Sequence, residues 1–182
     1  LNRYLHNNLE ESHPFFGLKV SPAPTQPADL YMLGTTPSSA ELAASLGMPY
    51  VFAPFLNHDE AVMHQAIETY RSQFNADNGA GPHLMLALPV MVADTDDEAE
   101  GYASQITPVR ITLESGRTFT VFSVDAAEEF GRQSGEKFTY EVQKAKVIHG
   151  SQETVRRKIL DVLDRYQVDE LFIVTAIRKF QK

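Results

Sequence analysis

The stretch Asp29-Leu30-Tyr31-Met32-Leu33-Gly34-Thr35-Thr36-Pro37-Ser38-Ser39-Ala40-Glu41-Leu42-Ala43-Ala44-Ser45-Leu46-Gly47-Met48-Pro49-Tyr50-Val51-Phe52-Ala53 decides the fold. Its first six residues are a short, mainly apolar run that stops at Gly34, the pattern of a buried strand. Hydroxyl residues follow, with Pro37 where the first helical residue belongs, which is a helix start. Ala40 to Leu46 is helix-forming, and Gly47 is a good residue for the left-handed position that ends a helix. Pro49 to Ala53 is apolar again and reads as a second strand. Strand, helix and strand within so few residues make a βαβ unit with a short helix, and such units build parallel sheets.

Outward from this unit the pattern repeats. Residues 58–74 form an amphipathic helix, with Val62, Ile67, Tyr70 and Phe74 recurring at helical steps. Asn75 to Pro82 is a loop. His83 to Ala93 is nearly all apolar, as in a strand buried on both faces. Asp94 to Glu98 starts a helix, its acids complementing the dipole. Gly150-Ser151 caps a helix over Gln152–Tyr166, and Asp169 to Thr175 is a last strand. Four strands, near 29–34, 50–55, 84–93 and 170–175, alternate with helices, so the fold class is α/β with a parallel sheet. Residues 107–147 are less regular. Arg110 to Val124 alternates weakly around Gly116, as in a hairpin or an inserted loop, and Asp125 to Phe130 is more helical. Residues 1–28 read as an irregular, extended lead-in, because Pro22, Pro24 and Pro27 exclude helix and central strand. Within it, Phe15 to Val20 suits a short strand or a plug under a sheet edge.

The chain has 182 residues, enough for one ordinary core. Sixteen Lys and Arg against 24 Asp and Glu give a net charge of −8, which disfavours nucleic acid or an anionic membrane as main partner. There is no cysteine, so disulfides and thiolate chemistry are excluded. No apolar run reaches the ~18 residues of a membrane span. The opening Leu1-Asn2-Arg3-Tyr4 lacks the apolar core of a secretion signal, so a cytoplasmic location is expected.

The most informative chemical segment is Gly34-Thr35-Thr36-Pro37-Ser38-Ser39. A strand ending in Gly, then hydroxyls, then a helix N-terminus makes a site for a phosphate group, held by Thr35, Thr36 and Ser39. Ordinary helix capping by the same hydroxyls is the alternative. The segment has neither the Lys of a P-loop nor dinucleotide-fingerprint spacing. His58 and His64 do not share a helix face at metal spacing, and no His, Asp and Glu grouping resembles a metal site. Tyr50, Phe52 and Phe55 either line an apolar cavity or fill the core. These residues alone leave the function open between a phosphate-ligand binder and an enzyme using a phosphorylated cofactor.

Residues 26–53 closely resemble a segment of the bacterial luciferase-like flavin monooxygenases, in which a strand ending Leu-Gly-Ser-Ser precedes a Ser-Ala helix and a strand containing Phe-Ala. Tyr70-Arg71-Ser72-Gln73-Phe74 resembles that family's Tyr-Arg-x-x-Phe. Val92 to Ala99 resembles its Ala-Asp/Glu-Thr-x-x-Glu-Ala, His149 to Val155 its Gly-Thr/Ser-x-Glu-x-Val, and Val168 to Leu171 its final strand. The matches run in order over most of residues 20–177, while residues 107–147 match poorly.

The resemblance implies a (β/α)8 barrel of TIM type that binds reduced FMN, or less often the deazaflavin F420. It implies a monooxygenase that uses the flavin and O2 on an organic substrate. Gly34, Thr35, Thr36, Ser38 and Ser39 would then hold the cofactor phosphate, Thr36 and Ser39 aligning with the family's hydroxyl ligands. A barrel needs eight strands and ~250 residues. Four are counted, corresponding to strands five to eight, so residues 1–182 read as one partial barrel domain. The family's ring contacts, catalytic His and dimer helices belong to the other half, so no catalytic residue is assigned. Ile177 to Lys182 departs from the family's tail. The expected partners are a small organic substrate, O2, a flavin reductase, and either a second copy or an N-terminal half. The alternative function is a non-catalytic flavin- or phosphate-binding module.

Overall fold

A computed structural model describes residues 1–22, 24–76 and 79–175. In chain order the elements are α1 (Asn2–Leu5), β1 (Met32–Gly34), α2 (Pro37–Ser45), β2 (Tyr50–Phe52), α3 (Glu60–Ser72), β3 (Leu84–Val92) and α4 (Asp96–Ala103). There follow β4 (Val109–Leu113), β5 (Thr118–Val121), α5 (Val124–Ser134), β6 (Phe138–Val142), β7 (Ile148–Gly150), α6 (Gln152–Tyr166) and β8 (Glu170–Thr175).

The parallel sheet is organised on β3, the long apolar strand. It pairs with β2 through Leu84–Leu86, with β8 through Met85–Val90 and with β7 through Val90–Val92, and β1 joins β2. All these pairings are parallel, as the βαβ reading requires. Strand register sorts side chains to two faces. Tyr50, Phe52, Leu84, Leu86 and Leu88 point to the helices and pack with Ala43, Met63, Ala66, Tyr70, Val155 and Tyr166. Val51, Ala53, Met85 and Ala87 pack on the other face with Phe55. Fully burying one such large apolar side chain contributes about 1.5–3 kcal/mol, so this two-sided strand carries much of the core.

The family's motif residues bind these layers together. The Tyr70 hydroxyl donates to the Met48 carbonyl at 2.9 Å and accepts from the His83 N–H at 3.0 Å. Arg71 reaches α6, where its Nη2 donates to the Tyr166 carbonyl at 2.8 Å and to that of Gln167. Asp169 accepts from the Leu84 N–H at 2.8 Å and so ties β8 to β3.

A second, antiparallel sheet has the order β5-β4-β6. Gly116 adopts φ +82° at the β4–β5 turn, a conformation that favours glycine. Val109, Ile111 and Leu113 alternate inward and pack on Ala127 of α5, with Phe130 and Phe138 beside them. The irregular region 107–147 is therefore a folded ββαβ unit: the hairpin and helix match the sequence reading, whereas β6 does not appear in it.

Three expectations need correction. The parallel sheet has five described strands, not four, because Ile148–Gly150 adds β7. The lead-in 1–28 is not wholly extended, since Asn2–Leu5 turns into α1. Phe15 to Val20 is neither strand nor plug: Phe15, Phe16 and Leu18 are all more than half exposed, and Gly17 turns the chain at φ +88°. The divergent Ile177 to Lys182 lies outside the described residues, as do Asp77 and Asn78 of the loop after α3. Among the described residues, no helix is long and apolar enough to cross a membrane.

Candidate functional site

At the C-terminal end of β1 the chain turns at Gly34 into α2. Thr36 is the N-cap, and its Oγ1 accepts from the Ser39 N–H at 3.2 Å. Ser39 Oγ accepts from the Thr36 N–H at 3.2 Å and donates to the Thr36 carbonyl at 2.7 Å. The Tyr50 hydroxyl lies 3.0 Å from the same Oγ. Burial pushes the Tyr50 phenol up, partly offset by its Ser39 and Thr36 contacts, so it remains a neutral hydrogen-bonding group. Gly34 is needed for this closeness: a Cβ there would stand 2.6 Å from the Ser39 Cβ and closer still to its Oγ.

The predicted residues therefore come together but do different work. Thr36 and Ser39 spend their hydroxyls on a reciprocal capping box, which fixes the loop. Pro37 has no N–H, the Ser39 N–H goes to Thr36, and the Ala40 N–H goes to the Thr36 carbonyl. The Ser38 N–H is what remains of the first-turn donors, beside the exposed Ser38 hydroxyl. Thr35 adds an N–H and a hydroxyl that make no hydrogen bond to the described residues, while its carbonyl accepts from Asn57 Nδ2 at 2.9 Å. The loop so presents donors at the positive end of a nine-residue helix, the chemistry that suits a phosphate dianion.

A second helix N-terminus follows a parallel strand, at Gly150-Ser151, but the chain fills it itself. Asp96 accepts from the Ser151 N–H at 2.6 Å and from the Thr154 hydroxyl at 2.9 Å. The backbone and side chain of Ser151, then Thr154, hold this carboxyl below the usual range. Asp96 thus fills the start of α6, whereas no carboxylate of the described residues is hydrogen-bonded to the Gly34–Ser39 loop.

Sequence reasoning missed the roles of Asn57 and His58, which follow β2. Asn57 braces the Thr35 carbonyl and accepts from the N–H of Asp59, the N-cap of α3. Both ring nitrogens of His58 are buried without a hydrogen-bond partner. Burial, then the nearby Lys146 and Arg110 charges, lower its pKa below the ordinary value, although the Pro54 carbonyl nearby acts the other way. Only the fold reveals this, because Lys146 is 88 residues away and donates from Nζ to the His58 carbonyl at 2.8 Å. Phe55, one of the three aromatics offered as cavity lining, does line a cavity, whereas Tyr50 and Phe52 are fully buried core.

The fold and loop define an α/β protein made of parallel βα units, with a capped, donor-presenting turn after one of them. The luciferase-like monooxygenase family model matches residues 8–169, and the chain belongs to that family. It is 28% identical over 178 residues to the N-acetyl-S-alkylcysteine monooxygenase of Bacillus subtilis (strain 168), covering 98% of this chain and 53% of that protein. It is 29% identical over 141 residues to a luciferase-like monooxygenase of Escherichia coli (strain K12), covering 72% and 42%. The crystal structure of apo-MsnO8 superimposes with a TM-score of 0.58 at 24% identity, over 91% of this chain and 51% of that one, a likeness of fold. The chain spans about half the length of the curated relatives it matches.

Proposed function

We propose that this chain forms the phosphate-gripping part of an FMN-dependent luciferase-like monooxygenase, in which β1, β2, β3 and β8 supply strands five to eight of an eight-stranded barrel and the short β7 is an addition to them. The observation that carries this is the Gly34–Ser39 loop: a pre-formed turn, at the end of a parallel strand, in a chain of this family. The free donors of this loop are of the kind that hold a phosphate ester. Ser38 would donate its N–H and hydroxyl, Thr35 its N–H and hydroxyl, and the capping box would hold both in place. When bound, reduced flavin would supply the electrons for activating O2. The residues of this chain bind and orient the cofactor by its phosphate end, and Asn57 fixes the loop by holding the Thr35 carbonyl. F420 is the alternative cofactor.

Exposure supports a sheet that continues beyond both edges. β1 pairs only with β2, and β8 only with β3, among the described residues. On the face shared with Val51, Met85 and Ala87, the central residues are at most 5% exposed. Leu33 and Phe172, their neighbours in the two edge strands, are 59% and 55% exposed. Apolar residues left open only at the edges suit completion by further strands, from an N-terminal half or from a second copy. The oxidised compound would be a small organic substrate, with reduced flavin delivered by a separate reductase. Equilibrium dialysis against FMN tests the reading. Retained flavin that inorganic phosphate displaces upholds it, and no affinity for either ligand refutes it. Displacement by phosphate at equal affinity, without turnover when reduced flavin and an organic substrate are added, favours the non-catalytic module.

A further inference from the structure

His58 stands between two cavities, of about 280 and 240 Å³, and lines both. The smaller lies where the parallel sheet meets the inserted antiparallel unit. Its walls include Phe55 after β2, Val174 at the end of β8, Ile106 after α4, and Pro108 and Phe122 of the insertion. Its polar lining includes His58 and Lys146 and, among the described residues, contains no carboxylate. That is unusual in a chain with eight more acids than bases.

The acids of the larger cavity are already engaged. Asp59 caps α3 through the Ala61 and Val62 N–H groups, and Glu60 accepts from Arg165 and from the Tyr166 hydroxyl. Among the described residues, Lys146 and Arg110, the two cations that act on His58, make no ion pair. A largely apolar wall with a lysine that makes no ion pair and, among the described residues, no acid favours a ligand with an apolar body and an anionic head.

We propose that the cavity between the two sheets binds a small carboxylate, its apolar chain against Phe55, Phe122 and Val174 and its head on Lys146. That this occupant is the oxidised substrate rests on the flavin-monooxygenase reading; its binding does not. The His58 ring nitrogens are buried, so the ring borders the cavity through its other atoms and serves as a reporter of what occupies it.

Hexanoate, hexanol and hexylamine, titrated separately against the whole chain and followed by the ring signals of His58, distinguish the head groups. Hexanoate binds tightest, hexylamine weakest, and the His58 signals move with hexanoate. Lys146→Met weakens hexanoate by at least about tenfold, the loss of one charge-assisted hydrogen bond, and Lys146→Arg restores most of it. Equal binding of the three probes, or no change in Lys146→Met with its fold intact by circular dichroism, overturns the proposal. FMN titrated in parallel separates the two readings. A chain that binds FMN but not hexanoate refutes the pocket alone, and one that binds hexanoate but neither FMN nor phosphate refutes the flavin reading alone.

Discussion

Gly34→Ala is the sharpest perturbation of the candidate site. The added Cβ would stand 2.6 Å from the Ser39 Cβ, closer still to Ser39 Oγ, and 3.0 Å from Tyr50 Cε2. Rotating Ser39 about χ1 moves the oxygen away but not the Cβ, which is fixed to the first turn of α2. The oxygen's departure breaks its bonds to the Thr36 N–H and carbonyl and its contact with the Tyr50 hydroxyl. Loss of a cap costs about 1 kcal/mol, and forcing an extra carbon into a packed site costs about 1–3 kcal/mol. The expected destabilisation is therefore about 2–4 kcal/mol, measured by urea unfolding, with a parallel loss of phosphate affinity as the Ser38 and Thr35 donors lose their geometry. Ser39→Ala alone should cost about 1 kcal/mol. The double variant should cost less than the sum, because the oxygen is then no longer there to clash. A Gly34→Ala protein within about 0.5 kcal/mol of the parent would refute the reasoning, since it would mean that α2 slides freely from β1.

Asp96→Asn should lower the melting temperature at neutral pH, and the gap to the parent should close on acidification. The Asp96 carboxyl titrates below its ordinary value in the folded chain, so its stabilisation is present above about pH 4 and is lost as pH falls through the folded value. His58 behaves as a depressed base. Its folded state resists protonation, so stability should fall as pH drops below about 6.5, and His58→Gln should flatten that limb of a melting-temperature profile. Arg71→Met should cost roughly 1–3 kcal/mol in urea unfolding by leaving the Tyr166 and Gln167 carbonyls at the end of α6 without their charged donor.

Features carried by local pattern are legible in the amino-acid sequence itself. The cap at Thr36, the stop at Gly47, the helix Gln152–Tyr166 and the two-faced burial of β3 all follow from residues adjacent in sequence. β7 is not legible in that way: Ile148-His149-Gly150 is three residues long and half polar, and it becomes a strand because Val90–Val92 offers it partners. β6 is mostly exposed and lacks a buried run for the same reason. The candidate site divides likewise. Gly34 to Ser39 announces an anion loop, but which of its donors remain available depends on the capping box. Asn57 and His58 look like an ordinary helix approach in sequence. Their roles depend on Thr35 and Lys146, which only folding brings to them.

The central claim is that the Gly34–Ser39 loop holds the flavin by its phosphate, and FMN against riboflavin tests it directly, because the two differ only in that group. Titration calorimetry of the chain with each should give binding of FMN at least about tenfold tighter, with Ser38→Ala weakening FMN and leaving riboflavin unchanged. Equal affinity for the two flavins, or an FMN affinity that Ser38→Ala leaves untouched, would contradict the account.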